Sequence, residues 1–131
     1  IIRPKIIKGV DAWLEREAIK NNKKVVLFKK VSKDLKTQED TPNETHWKIG
    51  TTLIHHNWRP RDNECGEGKF HACSRTYFCD EFRNEPGDRY IAIEIDKKDL
   101  FVWDNNPDYP HKIAFRKGKV LYEVDKIGRK I

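Results

Sequence analysis

The segment Arg89–Asp96 constrains the chain most. Its isoleucines at 91, 93 and 95 share one parity, and Tyr90, Ala92 and Glu94 take the other. Strand side chains point alternately to opposite faces, so this pattern demands a strand with one face buried. One strand has nowhere to bury three isoleucines. The rest of the chain must therefore supply a sheet and a layer packed on it.

Partner strands are legible along the chain. Lys24–Val31, built on Val25-Val26-Leu27-Phe28, predicts a strand, and residues 47–54 predict a second, bent at Gly50. Residues 100–103 form a short apolar run. Lys112–Phe115 and residues 119–124 are expected to pair as a hairpin turning at Arg116-Lys117-Gly118. Asp11 as N-cap predicts a helix to about Lys20, with Val10, Trp13, Leu14 and Ala18 on one stripe. Ser74 as N-cap predicts a helix of two to three turns through Phe82, closed by Pro86-Gly87. Residues 32–45 read as a loop. The expected fold class is α+β: a small twisted, mostly antiparallel sheet of five or six strands with two helices. It forms a single domain over residues 1–131, with 1–9 as lead-in and 126–131 as a frayed basic tail.

Composition narrows the class. Aromatic residues make up 11% of the chain, ample core material that excludes a disordered polymer. No stretch approaches the roughly 18 apolar residues of a membrane span, so no membrane partner is expected. The opening Ile1-Ile2-Arg3-Pro4 is too short and interrupted for a signal sequence, which points to a cytoplasmic protein with reduced thiols. The absence of methionine points to a piece of a longer protein. Basic residues exceed acidic ones, 27 against 21, for a net charge of +6. Seven lysines and one acid fall between Lys20 and Lys36. That run reads either as a solvated face or as a surface for phosphates.

Residues 65–82 concentrate the reactive side chains. Cys65, His71, Cys73 and Cys79 are spaced Cys-x5-His-x-Cys-x5-Cys. Structural zinc sites pair ligands with two to four residues between them, whereas one or five stand between these, so no metal set is assigned and free thiols are expected. His71 and Cys73 are two apart and share a face in a strand, with Cys73 at the mouth of the expected helix. A helix dipole there lowers a thiol pKa, which makes them candidates for a Cys–His pair without an evident orienting carboxylate. Gly66-x-Gly68 ahead of that helix suits an anion or is a simple turn, and Lys69, Arg75, Arg59 and Arg61 add positive charge.

The order of these pieces carries a resemblance. It runs through Leu27-Phe28-Lys29-Lys30-Val31, Lys48-Ile49-Gly50, Cys65, Phe70-His71-Ala72-Cys73-Ser74 and Tyr77. It continues through residues 90–96 to Lys112-Ile113-Ala114-Phe115-Arg116 and Val120-Leu121-Tyr122-Glu123-Val124. Over roughly residues 25–125 the chain resembles the small phage-associated domain at the C-terminus of rIIB-type phage proteins. Related phage and bacterial proteins bear a Cys-x-x-Gly-Leu-His-x-Cys-type signature. Here Lys69 stands where that pattern has glycine, so Gly68 is displaced by one. The resemblance implies a phage or mobile-element origin and an accessory role, and it implies no chemistry.

A second likeness is to ADP-ribosyltransferase-like folds, through Gly66-x-Gly68-x-Phe70, a short helix with Tyr77, and a following strand. It implies NAD bound near residues 66–77 and a carboxylate, Glu94 or Glu123, on a late strand. The family's first-strand His or Arg has no counterpart, because Lys29 or Lys30 occupies that region.

Two expectations follow. The first is a non-enzymatic interaction module, with no cofactor, whose basic face meets nucleic acid or an acidic protein. Lys23, Lys24, Lys29, Lys30, Lys33, Arg59, Arg61, Lys69 and Arg75 would carry it, with Trp47 and Trp58 to stack on bases. The second is an NAD-binding transferase with Glu94 or Glu123 as its carboxylate, and His71 and Cys73 are further catalytic candidates as a Cys–His pair.

Overall fold

The structure, a computed structural model, describes residues 9–61, 68–103 and 109–131. The chain begins there with helix α1 (Gly9–Arg16), whose Trp13 and Leu14 are buried. The helix stops short of Lys20. Ala18 turns left-handed at φ 56°, and the Ile19 and Ala18 N–H groups donate back to Leu14 O and Glu15 O. That paired closure is a Schellman motif, which Ala adopts at a cost of about 1 kcal/mol.

Strands β1 (Lys24–Val31), β4 (Thr52–Ile54), β5 (Phe70–Cys73), β6 (Arg89–Asp96), β7 (Leu100–Phe101), β8 (Lys112–Phe115) and β9 (Lys117–Val124) form one antiparallel sheet. Its order is β4-β9-β6-β1-β5-β8-β7. Among the described residues it thus has seven strands, slightly more than expected. The 32–45 segment is not all loop: β2 (Lys36–Thr37) pairs with β3 (Thr45–His46) in a separate ribbon. The expected bent strand at 47–54 is a strand only over β4, because the chain turns at residues 49 and 50, Gly50 at φ +88°, before β4 begins.

The expected hairpin between β8 and β9 does not exist. β8 pairs with β5 and β7, and β9 with β6 and β4. Only Arg116 links them, yet β6, β1 and β5 stand between them in the sheet. Four strand spacings in a flat sheet would be about 19 Å. A single linking residue spans about 7 Å. The sheet must therefore curl so that its halves face each other. Gly118 lies where they meet: a Cβ there would fall 2.7 Å from Ile93 Cγ2 and 3.0 Å from Phe115 Cε2.

The core fills this curl. Leu27, Ile91, Ile93, Ile95, Ile113, Phe115 and Val120 are fully buried, so the isoleucines face inward as their alternation predicts. Each contributes about 1.5–3 kcal/mol of burial. Trp47 joins them, against the expectation that it stacks on a ligand. Its indole N–H donates to Thr37 Oγ1 at 2.8 Å, and its ring meets Phe70 at 4.8 Å.

The second expected helix is a 3-10 helix, Thr76–Glu81. Arg75, not Ser74, precedes it, and no side chain caps it. The Ser74 hydroxyl donates instead to Glu17 Oε1 at 2.7 Å, where His111 Nδ1 also lies at 2.6 Å. The tail is not frayed: Lys130 bridges Val124, and Asp125 Oδ1 accepts from the Ile127 and Arg129 N–H groups. The lead-in through Lys8 lies outside the described residues. No helix among those described is long and apolar enough to cross a membrane.

Candidate functional site

The sheet has one weak seam. β1 and β6 pair along their whole length, from Lys24↔Asp96 to Val31↔Arg89, whereas β1 and β5 share a single pair, Phe28↔Cys73. Where those strands part, a cleft of about 780 Å³ opens between β1, β5, the β2–β3 ribbon and β4.

Lys29 sits at the split. Alternation along β1 gives it the parity of Leu27 and Val31, both wholly buried. Its ammonium donates to His71 O at 2.8 Å and lies 5.0 Å from the Trp47 ring centre. Among the described residues no carboxylate pairs with it. Burial disfavours its charge and lowers its pKa from 10.5 to about 8; Cys79 and Cys73 offset this in part, while Lys112 and Arg83 add to it.

Other cations surround it. Lys69 and Lys112 line the cleft with only 5% and 3% of their surface exposed. Gly68 makes the position of Lys69 feasible. It turns at φ +92° with its carbonyl accepting from the Arg59 N–H at 2.7 Å, and a Cβ there would meet the Arg59 backbone oxygen at 3.0 Å. Lys112 opens β8 opposite Cys73, its ammonium 4.5 Å from the Tyr109 ring and 4.9 Å from that of Phe82. Lys30 donates to Asp80 at 2.8 Å and to Asn84 at 2.9 Å. Arg83 forms a two-pronged pair with Glu39, both contacts 2.7 Å, and a third bond to Asp88. The hydrogen bonds it donates to Glu39 hold the guanidinium pKa above its ordinary value.

Three histidines, 55, 56 and 71, also line the cleft. Burial lowers the pKa of His55, with Lys69, His56 and Arg59 lowering it further, which favours the neutral ring. Among the described residues, Glu44 is the one acid in the lining.

The sequence-derived candidates divide. Lys29, Lys30, Lys69, His71 and Cys73 come together in this cleft. Cys73 is not the activated thiol its expected helix implied. A hydrogen bond with Cys79 raises its pKa, as does burial, so it is a protonated, free thiol. Cys65 and Gly66 lie outside the described residues. Glu94 and Glu123 are not in the cleft lining: Glu94 is 3.9 Å from Lys24, and Glu123 accepts from Arg89 at 2.5 Å. That bond lowers the Glu123 pKa.

The remaining basic residues also lie away from the lining. Arg75 donates to Ser74 O and Glu17 O, and Arg61 stacks 5.1 Å over Phe101. The Arg59 N–H donates to Gly68 O, Lys33 O accepts from Arg89, and Lys23 O accepts from the Lys97 N–H. Lys112, Arg83 and His55 belong to the cleft and were not candidates. The signal for Lys112 was a lysine heading the apolar run Ile113-Ala114-Phe115.

No protein-family model matches the chain, and neither a curated protein nor a solved structure is similar to it at a significant level.

Proposed function

We propose that the chain is a binding module whose β1–β5 cleft takes the phosphate of a nucleotide-type anion, either free or within an exposed single strand. One observation carries this reading. The described lining brings together Lys29, Lys30, Lys69, Lys112 and Arg83, and Glu44 is the one acid among those lining residues. Arg83 and Lys30 already hold carboxylates, whereas among the described residues Lys29 holds a carbonyl and a ring face. A phosphate about 4 Å from one such ammonium gains roughly 4 kcal/mol at an effective dielectric constant near 20. Phe28, Phe70 and Phe82 give the same cleft apolar surface for a base.

The phage or mobile-element accessory role suggested by the sequence is compatible with a module of this kind. A transferase reading gains no support, because it requires Glu94 or Glu123 beside the ligand and both are ion-paired elsewhere.

Calorimetric titration with inorganic phosphate, AMP, NAD and a short single-stranded oligonucleotide tests the proposal. The expected result is binding that weakens several-fold between about 50 and about 300 mM salt. Lys69→Gln is expected to weaken it by about five-fold or more, as loss of one partly screened cation should. AMP binding without oligonucleotide binding selects the free nucleotide, and the reverse selects the strand. Absence of binding by every probe at low salt overturns the reading.

A further inference from the structure

We propose that Lys29 is an imine-forming amine, and that its partner is a phosphate-bearing aldehyde whose anionic group is held in the same cleft. This rests on the anion-binding reading of that cleft and adds a covalent chemistry to it. Most lysines are unsuited to the role because they are protonated and solvated. Lys29 differs in three respects that the fold imposes.

First, its parity on β1 sends its side chain inward between Leu27 and Val31, and the parting of β1 from β5 leaves its tip lining an open cleft. Second, its partners are a backbone carbonyl, His71 O at 2.8 Å, and the Trp47 face. A neutral amine can donate one N–H to that carbonyl and still present its lone pair. A carboxylate partner, which would lock in the ammonium form, is absent among the described residues. Third, burial is the main opponent of its charge, and of the charged or titratable groups that face it among the described residues, Lys112 and Arg83 oppose protonation while Cys79 and Cys73 favour it less strongly than burial disfavours it. With its pKa at about 8 rather than 10.5, its free-base fraction near neutral pH exceeds that of an ordinary lysine by more than about a hundred-fold.

The step balances without an oxidant or cofactor. The Lys29 nitrogen attacks the carbonyl carbon, forming a C–N bond as the carbonyl π bond breaks and one N–H proton passes to the oxygen; the second N–H proton leaves with that oxygen in the next step. The carbinolamine then loses that oxygen as water, leaving C=N. The lysines lining the cleft supply the charge that retains the phosphate.

Reductive trapping tests this. Intact protein is incubated with pyridoxal 5′-phosphate, reduced with borohydride and mapped by peptide mass spectrometry. Lys29 is expected to be modified at least about ten times faster than the exposed Lys23 and Lys33, as its larger free-base fraction requires. Inorganic phosphate should compete, and pyridoxal without phosphate should label Lys29 poorly. Lys29→Arg, which keeps the charge, should abolish the adduct while leaving the thermal unfolding midpoint within a few degrees. A parallel arm with an oligonucleotide carrying an abasic aldehyde distinguishes a strand-borne aldehyde from a small one. Adducts spread over surface lysines with Lys29 unmodified overturn the inference. If calorimetry still shows phosphate binding, the anion-binding reading stands without it. Labelling of Lys29 that phosphate neither requires nor competes with overturns both the phosphate-bearing partner and the anion site.

Discussion

The two edges of β1 face opposite situations. Toward β6 the strand is zipped along its whole length, and the residues behind that seam, Leu27, Ile91, Ile93 and Ile95, have no exposed surface. Toward β5 it is held by one residue pair, and the space beyond contains a lysine. The same strand thus serves as the spine of the core on one side and the lip of a cleft on the other. A complete ladder satisfies backbone groups and excludes water, whereas an interrupted one leaves room and unpaired polarity. His71 O, at the open seam, takes its hydrogen bond from Lys29.

Leu27 and Lys29 lie two residues apart on one face and provide the sharpest test of this contrast. Leu27→Ala is expected to cost about 2–5 kcal/mol in urea unfolding, because the closed seam cannot collapse around the cavity. Gly118→Ala, at the meeting of β9, β6 and β8, should cost about 1–3 kcal/mol by overpacking Ile93 and Phe115.

Lys29→Met acts in the opposite direction. The folded state lowers the Lys29 pKa to about 8 from an unfolded value near 10.5. Between these values the unfolded chain binds more protons, so wild-type stability rises with pH there relative to the variant. Below about pH 8 the wild type bears the full penalty of burying charge. The variant should therefore be more stable at pH 7 by about 1–3 kcal/mol, with the gap closing toward pH 10. Unfolding both proteins across that range checks the slope. A gap that widens with pH contradicts the assignment.

The smallest effect belongs to the rim. Glu39, paired with Arg83, and Glu123, paired with Arg89, both have lowered pKa values, chiefly from those hydrogen bonds. Their stabilisation is present above pH 4.5 and is lost as pH falls below it. Each pair is partly solvated, so Glu39→Gln or Glu123→Gln should cost less than about 1 kcal/mol, measurable as a small shift in acid unfolding.

Period-two alternation made the closed side of the molecule legible in the sequence. Ile91, Ile93 and Ile95, like Val25, Leu27 and Val31, face inward as that pattern requires. The α+β class followed from this alternation together with the helical stripe through Trp13 and Leu14, whereas the second helical segment is 3-10 and lacks the Ser74 cap. Strand order did not, because pairing is a long-range choice. Adjacent apolar runs joined at residues 116–118 suggested a hairpin, yet the chain crosses between opposite halves of a curled sheet.

The site was half legible. Lys29, Lys30 and Lys69, named from the sequence, line the cleft with His71, but charge counted along the chain does not reveal which lysines turn inward. Lys29 could have been singled out by its parity, since a lysine between Leu27 and Val31 on the buried face is costly unless it has a use. Lys112 and Arg83 reach the cleft through tertiary packing alone. Glu94 and Glu123, promising as late-strand carboxylates, are taken up by Lys24 and Arg89 on neighbouring strands.

The most direct test is an NMR titration of Lys29, using the 13C chemical shift of its Cε, with and without saturating AMP. The open seam predicts a midpoint near pH 8 in the free protein, and an upward shift when a bound phosphate stabilises the ammonium form. A midpoint at the ordinary lysine value of 10.5, unmoved by AMP, would contradict both the burial of Lys29 and the anion site built around it.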